Sequence, residues 1–104
     1  MNIKKLQLFV VITRYLKNIE IINENRPAHV DFLNKYYEKG KILLSGRQNP
    51  LTGGLLLVNA ESREEVEQII QEDPFYKNKL IEINIHEFEP MRFDVMKNFV
   101  ENIK

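Results

Sequence analysis

Residues 80–89 read LIEINIHEFE, and this alternation decides the fold. Three isoleucines fall on one side of the segment, while mainly polar residues fall on the other. A period of two residues is typical of a β-strand that buries one face. The second face of this strand is predicted to carry Leu80 and Phe88, which would form an exposed apolar patch unless something packs on it.

A helix and two strands precede this segment. The helix is predicted to begin at Ser62, which opens a Ser-x-x-Glu capping box, and to end at Asp73, which a proline follows. Two short apolar runs at 42–47 and 55–59 are predicted to be strands. Residues 48–54 between them contain asparagine, proline and glycine, which is typical of a hairpin loop.

The N-terminal part supplies a further strand and a further helix. Residues 6–13 (LQLFVVIT) are short, β-branched and aromatic, and they predict a strand buried on both faces. Residues 14–25 are predicted to be a long connection. Pro27 fits the first turn of a helix and Gly40 fits its C-terminal cap. The order β-α-β-β-α-β predicts an α+β, ferredoxin-like fold, in which an antiparallel sheet carries two helices on one face.

The other face of the sheet has no helix in this topology. A second copy of the chain is the simplest cover for it, so we expect a homodimer through the open sheet face. After Pro90, apolar residues recur at helical spacing from Phe93 to Ile103 and predict a short C-terminal helix. The chain therefore divides into a ferredoxin-like domain at 1–90 and a helical extension at 91–104.

Length and composition exclude several classes of protein. The 104 residues are enough for one domain with one modest core. Lys and Arg total 15, as do Asp and Glu, so the chain lacks the basic excess of a nucleic-acid-binding protein. The absence of cysteine excludes disulfides, thiolate nucleophiles and cysteine metal sites. No apolar run approaches the ~20 residues of a membrane helix. We expect a cytoplasmic domain that binds neither nucleic acid nor membrane.

The two histidines, His29 and His86, are the candidates for a general base. The predicted topology brings the start of the first helix and the end of the second to one edge of the sheet, which places His29 near Asp73. A carboxylate there would fix the imidazole tautomer and raise the basicity of the ring. The structural interpretation, a core histidine and an Asp-Pro turn, is the commoner one for such residues and stays open. His86 lies on the open face, where dimer packing is expected.

Three further residues near this edge are candidates for ligand contact. Arg14 and Arg26 could bind a carboxylate through two hydrogen bonds, with solvated surface cations as the alternative. Ser45 precedes Gly46 in a strand, where glycine marks a bulge or a close approach. We interpret Ser45 as pocket lining and not as a nucleophile. The histidines have no partner at metal-ligand spacing, so no metal site is expected.

Four short motifs, in this order and at these spacings, resemble the YCII-related family over roughly residues 6–90: Arg26-Pro27-Ala28-His29, Leu44-Ser45-Gly46, Gly53-Gly54 and Asp73-Pro74-Phe75. The resemblance implies a ferredoxin-like fold that pairs into a dimeric α+β barrel, akin to muconolactone isomerase. It implies that the family's His–Asp pair is His29 and Asp73 here, and it brings Phe75 into the site. A similar family member is a dehydrochlorinase in the breakdown of chlorinated hydroxyhydroquinone.

The residues and the resemblance together predict a cofactor-independent lyase or isomerase for a small anionic substrate. His29 would move a proton, Asp73 would orient and stabilise the ring, and Arg14 or Arg26 would hold the anionic group of the substrate. Such a set supports proton transfer and elimination without a cofactor. Two alternatives remain. One is a dimeric binding module that holds a metabolite or a partner protein in the same cleft, and the other is a structural role in which the terminal helix docks in a larger assembly.

Overall fold

The computed structural model describes residues 7–102 of the chain. Within that range the chain forms four strands and four helices. In chain order they are β1 (Leu8–Tyr15), α1 (Ile19–Glu38), β2 (Ile42–Arg47), β3 (Gly54–Asn59), α2 (Arg63–Ile70), α3 (Pro74–Lys77), β4 (Ile81–Phe88) and α4 (Met96–Glu101). Leu6 of the predicted first strand and Ile103 of the predicted tail helix lie outside the described residues.

The strands form one antiparallel sheet in the order β2-β3-β1-β4. β1 lies inside the sheet, pairing with β3 on one side and with β4 on the other. The crossovers that link β1 to β2 and β3 to β4 carry α1 and α2. This is the ferredoxin-like arrangement, so the predicted α+β fold class is confirmed. The short C-terminal helix, α4, is also present.

α1 and α2 pack on one face of the sheet. Buried side chains alternate along the strands and recur every three to four residues along the helices, as burial of a single face requires. This core includes Phe9, Val11, Phe32, Val66 and Ile69. A second cluster, beside the first, consists of Ile22, Phe75, Leu80 and Ile81.

α1 is longer than the sequence predicts. It begins at Ile19, and the Asn18 side chain caps it by accepting a hydrogen bond from the Ile21 amide at 3.0 Å. The predicted long connection over 14–25 is therefore wrong for most of its length. Pro27 lies inside the helix and not in its first turn. The proline removes one backbone donor, and packing of the buried face of α1 offsets that loss.

The longer helix places His29 near the middle of α1. Ile22, His29 and Tyr36 are spaced seven residues apart, which is two helical turns, so all three lie on the face that packs against the sheet. Ile22 and Tyr36 are buried in the two core clusters. His29 is therefore held over the sheet by a buried residue two turns before it and another two turns after it.

The segment after α2 also differs from the prediction. α2 ends at Ile70, and Asp73 begins a separate four-residue helix, α3. A helix of four residues gives no periodic signal, so the sequence predicts a single helix ending at Asp73. Leu80 is wrongly predicted to lie on the open sheet face. It precedes β4, is only 4% exposed and packs with Phe75 in the second cluster.

Two apolar surfaces of the chain remain accessible. On the sheet face opposite α1 and α2, Val10, Ile12 and Leu57 are half-buried and Phe88 is exposed. All side chains at 91–102 are exposed, and six of them are large and apolar. None of the helices in the described part of the chain has the length and apolar character needed to cross a membrane.

Candidate active site

A cavity of about 230 Å³ lies between α1 and the sheet. One wall comes from α1, and a second comes from β1, β2 and β3. Asp73 and Phe75, at the start of α3, close a third side. Of the six residues predicted to form the site, His29, Asp73, Arg26, Ser45 and Phe75 line this cavity, and Arg14 does not.

His29 and Asp73 are in direct contact. The Nδ1 atom of His29 lies 2.8 Å from the Oδ1 atom of Asp73, whose side chain is 1% exposed. An ionised carboxylate can only accept, so the ring carries a proton on Nδ1 and donates it to Asp73. The Nε2 atom has no hydrogen-bond partner among residues 7–102, although His29 lines the cavity. When the imidazole is neutral, its basic nitrogen is the one without a partner.

Asp73 also stabilises the fold. As the N-cap of α3 it accepts a hydrogen bond from the Phe75 amide at 3.0 Å, through the same Oδ1 atom that contacts His29. The sequence places Asp73 at a helix C-terminus, where a carboxylate is unfavourable. In the structure it stands at a helix N-terminus, where a carboxylate is favourable. The buried acid is therefore stabilised by two hydrogen-bond donors.

Phe75 fixes the plane of the histidine ring. The Phe75 and His29 rings are stacked, with centroids 3.9 Å apart and planes 6° from parallel. Phe75 is 3% exposed, so its position is set by the second core cluster. With Asp73 on Nδ1 and Phe75 on the ring face, the imidazole has little rotational freedom.

Arg26 lies one turn before His29 on α1 and carries an unpartnered donor. Its Nε atom donates to the Asn23 Oδ1 atom at 3.2 Å, and its Cζ atom lies 5.8 Å from the Phe75 ring centroid. Its Nη2 atom is buried and has no hydrogen-bond partner among the described residues. A buried donor without an acceptor costs about 1–3 kcal/mol, and more when the group is charged. Arg26 also lines the cavity, so an anionic ligand bound there would lie beside a guanidinium group that still has an unpaired donor.

The β2–β3 loop is held against the end of β1. The Gln48 side-chain amide donates to the Thr13 carbonyl oxygen at 3.0 Å, and the Thr13 hydroxyl accepts from the Gly54 amide at 2.8 Å. A Cβ atom at Gly53 would lie 1.9 Å from the same Thr13 carbonyl oxygen. Glycine is therefore required at 53, and the close approach fixes the sheet wall of the cavity.

Ser45 lies on this wall, and its hydroxyl is hydrogen-bonded to the Tyr37 hydroxyl of α1. This contact links β2 to α1 beside the cavity. Arg47 stands two residues further along β2 and lines the cavity as well. The sequence prediction omits Arg47, although the two-residue period of a strand gives it the same face as Ser45.

The predicted contact of Arg14 with a substrate is not supported by its position. Arg14 is opposite Glu82 in the β1–β4 pairing, and the two form a 2.7 Å ion pair on the sheet face away from the cavity. Thr13 and Tyr15, its neighbours on β1, line the cavity instead. Successive residues of a strand point to opposite faces, so Arg14 cannot share their side. Glu82 raises the pKa of Arg14, mainly through their hydrogen bond.

Glu72 ties the segment before Asp73 to α1. It accepts a hydrogen bond from Lys35 at 2.7 Å and another from the Tyr36 hydroxyl. The Lys35 hydrogen bond is the main cause of the lowered pKa of Glu72. Burial, followed by the hydrogen bond to Glu72, raises the pKa of Tyr36 to about 12. Two adjacent acids, Glu72 and Asp73, thus hold the α2–α3 segment on α1.

In the range 7–102 there is no group of three or more His, Asp or Glu side chains placed to hold a metal ion. That the protein uses neither a metal nor a cofactor stays a prediction.

Comparison with known proteins gives two positive results. The model of the YCII-related domain family matches residues 7–89. Nine chains of solved structures match. One of them is the 5-chloro-2-hydroxyhydroquinone dehydrochlorinase of Burkholderia phenoliruptrix AC1100, in complex with 2,5-dihydroxybenzoquinone. It shares 25% sequence identity and superposes with a TM-score of 0.69, over 79% of this chain and 93% of its own. None of the curated proteins matches the sequence.

Proposed function

The chain belongs to the YCII-related family, and on that premise we propose that it is a cofactor-independent lyase or isomerase that acts on a small anionic substrate. The observation that carries the proposal is the His29 ring, whose Nδ1 atom is held by a buried carboxylate while its Nε2 atom is without a partner. The solved relative is a dehydrochlorinase, which is a lyase, and this supports an elimination or a related proton transfer.

In the proposed reaction, the His29 Nε2 atom accepts a proton from the substrate. The Asp73 carboxylate stabilises the imidazolium that forms, and Phe75 keeps the ring aligned. The electron pair left by the proton either expels a leaving group, which departs with its bonding electrons, or moves along the substrate so that the proton returns elsewhere. Arg26 stabilises the negative charge that develops meanwhile. The first course is a lyase reaction and the second is an isomerisation.

The direct test compares His29→Gln with His86→Gln, a matched change at the other histidine. The substrates are a panel of small anionic ring compounds that includes 5-chloro-2-hydroxyhydroquinone, followed by absorbance and by chloride release. We expect turnover to fall by at least ~100-fold in His29→Gln, since general acid–base catalysis contributes about 10²–10⁴-fold. His86→Gln should match the unaltered protein. Retained turnover in His29→Gln contradicts the proposal.

We also propose that two copies pair through the open sheet face to form a dimeric α+β barrel. Ile12 and Leu57 leave apolar surface on this face, and its Arg14–Glu82 pair carries both signs of charge, so two copies need not repel. Light scattering after size exclusion should give twice the chain mass. Ile12→Lys should give a monomer, whereas Ile19→Lys, at an exposed site on α1, should not. A monomeric unaltered protein would exclude the dimer.

The division into a domain at 1–90 and an extension at 91–104 stays a prediction, as does the cytoplasmic location. The exposed apolar side chains of 91–102 are consistent with docking of the extension elsewhere. If that is its role, deletion of 91–104 should change the oligomeric state.

A binding module in the same cavity is the second candidate function. The observation in its favour is that Asp73 caps α3, so this acid is useful to the fold without any reaction. In that case Asp73→Asn should still bind a small anion, and no substrate of the panel should be consumed. Consumption of any substrate that depends on His29 would exclude this candidate.

A further inference from the structure

The arginines of this chain fall into two groups. All five lie within the described residues, and Arg14, Arg63 and Arg92 each form an ion pair with a Glu or Asp. Arg26 and Arg47 form no ion pair with any residue in 7–102. These two are also the arginines that line the cavity. Arginines are thus paired outside the cavity and unpaired inside it.

The two unpaired guanidinium groups enter the cavity from different walls. Arg26 comes from α1, and its Nη2 atom is buried. Arg47 comes from the end of β2, opposite Gly54, and is exposed at the cavity mouth. The acid in the lining, Asp73, already accepts hydrogen bonds from His29 and from the Phe75 amide. Neither guanidinium group forms an ion pair with this carboxylate, so both are free to bind the acidic groups of a ligand.

The volume and the apolar lining of the cavity restrict which ligand can lie between the two guanidinium groups. The cavity of about 230 Å³ is larger than the ~150 Å³ that holds a benzene molecule, so a single ring with small substituents fits. Leu33, Leu56 and Phe75 provide apolar surface for such a ring. A planar, bidentate guanidinium recognises a carboxylate or a similarly charged oxygen pair.

We infer that the cavity takes a dianionic ring compound, which carries one acidic group bound by Arg26 in the interior and a second bound by Arg47 at the mouth. The inference rests on the proposed function only in using the same cavity, and it adds the substrate class and a second anchoring residue. Arg47 determines specificity for the dianion, while Arg26 is needed for monoanions and dianions alike.

The test measures the dissociation constants of benzoate and isophthalate, which share a benzene ring and differ by one carboxylate. Calorimetry uses the full chain at neutral pH, with Arg26→Ala, Arg47→Ala and the control Arg92→Ala, which removes an equal charge at an exposed site outside the cavity. We expect isophthalate to bind about tenfold more tightly than benzoate, because a hydrogen bond to a charged group is worth at least that factor. Arg47→Ala should erase this difference and leave benzoate within twofold. Arg26→Ala should weaken both ligands, and Arg92→Ala should weaken neither.

Equal affinity for the two ligands overturns the inference, as do equal losses for both in Arg47→Ala and the absence of saturable binding of either. The outcome is separable from that of the proposed function. Preferred binding of isophthalate, together with no turnover of any substrate by the unaltered protein, leaves the dianion site in place and removes the enzyme. Turnover lost in His29→Gln, without a preference for isophthalate, does the reverse.

Discussion

Asp73→Asn separates the two roles of Asp73, which caps α3 and places a negative charge beside the His29 ring. Asparagine caps helices about as well as aspartate, so the hydrogen bond from the Phe75 amide is retained. The same Oδ1 atom accepts the Nδ1–H of His29, so an asparagine that keeps the cap also keeps that hydrogen bond and the ring tautomer. What the substitution removes is the negative charge beside the imidazole.

The size of the loss follows from this geometry. A hydrogen bond to a charged group is worth about 1.5–3 kcal/mol and a neutral one about 0.5–1.5 kcal/mol, which sets the lower end near ~1 kcal/mol. Two unit charges ~4 Å apart attract by ~4 kcal/mol at an effective dielectric constant of about 20, which sets the upper end. Only the protonated ring feels this loss, and it forms during the reaction. Turnover should therefore fall by about 5- to 1,000-fold, at ~1.4 kcal/mol per factor of ten.

The assay combines turnover with urea unfolding and with nitrogen NMR of the His29 ring. In Asp73→Asn the free energy of unfolding should change by less than ~1 kcal/mol, and Nδ1 should stay protonated. Asp73→Ala should lose about 2–4 kcal/mol, since the cap is lost and two buried donors lose their acceptor. Asp31→Asn, at an exposed site on α1, is the control. Turnover of Asp73→Asn within twofold of the unaltered protein would refute the charge argument.

Three other perturbations test the scaffold of the site. Gly53→Ala should destabilise the chain by more than ~2 kcal/mol, because its Cβ would meet the Thr13 carbonyl, whereas Gly46→Ala, with open space around the Cβ, should be tolerated. The midpoints of urea unfolding of the two variants test this difference in stability, and equal midpoints would contradict the prediction. Glu72→Gln should reduce stability at neutral pH, and its difference from the unaltered protein should shrink as the pH falls below 4.5. A lowered carboxyl pKa stabilises the fold above the unfolded pKa and ceases to do so as the pH falls through the folded pKa. Because Glu72 is half-exposed, the difference should stay under ~1 kcal/mol, and a difference that persists in acid would contradict the assignment. Deletion of 91–104 should alter the free energy of unfolding by less than ~1 kcal/mol, since no side chain of 91–102 is buried, and a larger loss in urea would show packing of the tail.

β4 was predictable because its side chains alternate between core and solvent, and β1, β2 and β3 were predictable because they are short apolar runs rich in β-branched or leucine residues. The start of α1 was not, because Asn18 suits both a turn and an N-cap, and Pro27 suits the first turn of a helix better than its interior. Local propensity favours the shorter helix, and burial of Ile22 decides for the longer one. The heptad relation of Ile22, His29 and Tyr36 is the signal in the sequence for that longer helix.

The site was predictable to the extent that topology brings chain segments together. It placed His29 and Asp73 at one edge, and they are in contact, although Asp73 caps α3 instead of ending α2. Topology does not say which face a given residue takes unless the strand register is applied. Applied to β1, the register separates Arg14 from the cavity, and applied to β2 it joins Arg47 to Ser45. The catalytic roles of His29 and Asp73, and the ligand-binding roles of Arg26, Ser45 and Phe75, stay predictions.

The fold alone accounts for Asp73, which caps a helix, and for Phe75, which fills a core cluster. It does not account for the buried Arg26 Nη2 atom, because a guanidinium donor without an acceptor lowers stability, whatever the guanidinium gains from lying over the Phe75 ring. Nor does it account for a His29 ring that Asp73 and Phe75 align while its Nε2 atom has no partner among the described residues. The unpaired Arg26 donor favours an anionic ligand, which both an enzyme and a binding module would bind. Only the alignment of the His29 ring distinguishes an enzyme from a binding module, because binding an anion needs no base. Loss of turnover in His29→Gln with anion binding intact is therefore the result that identifies an enzyme.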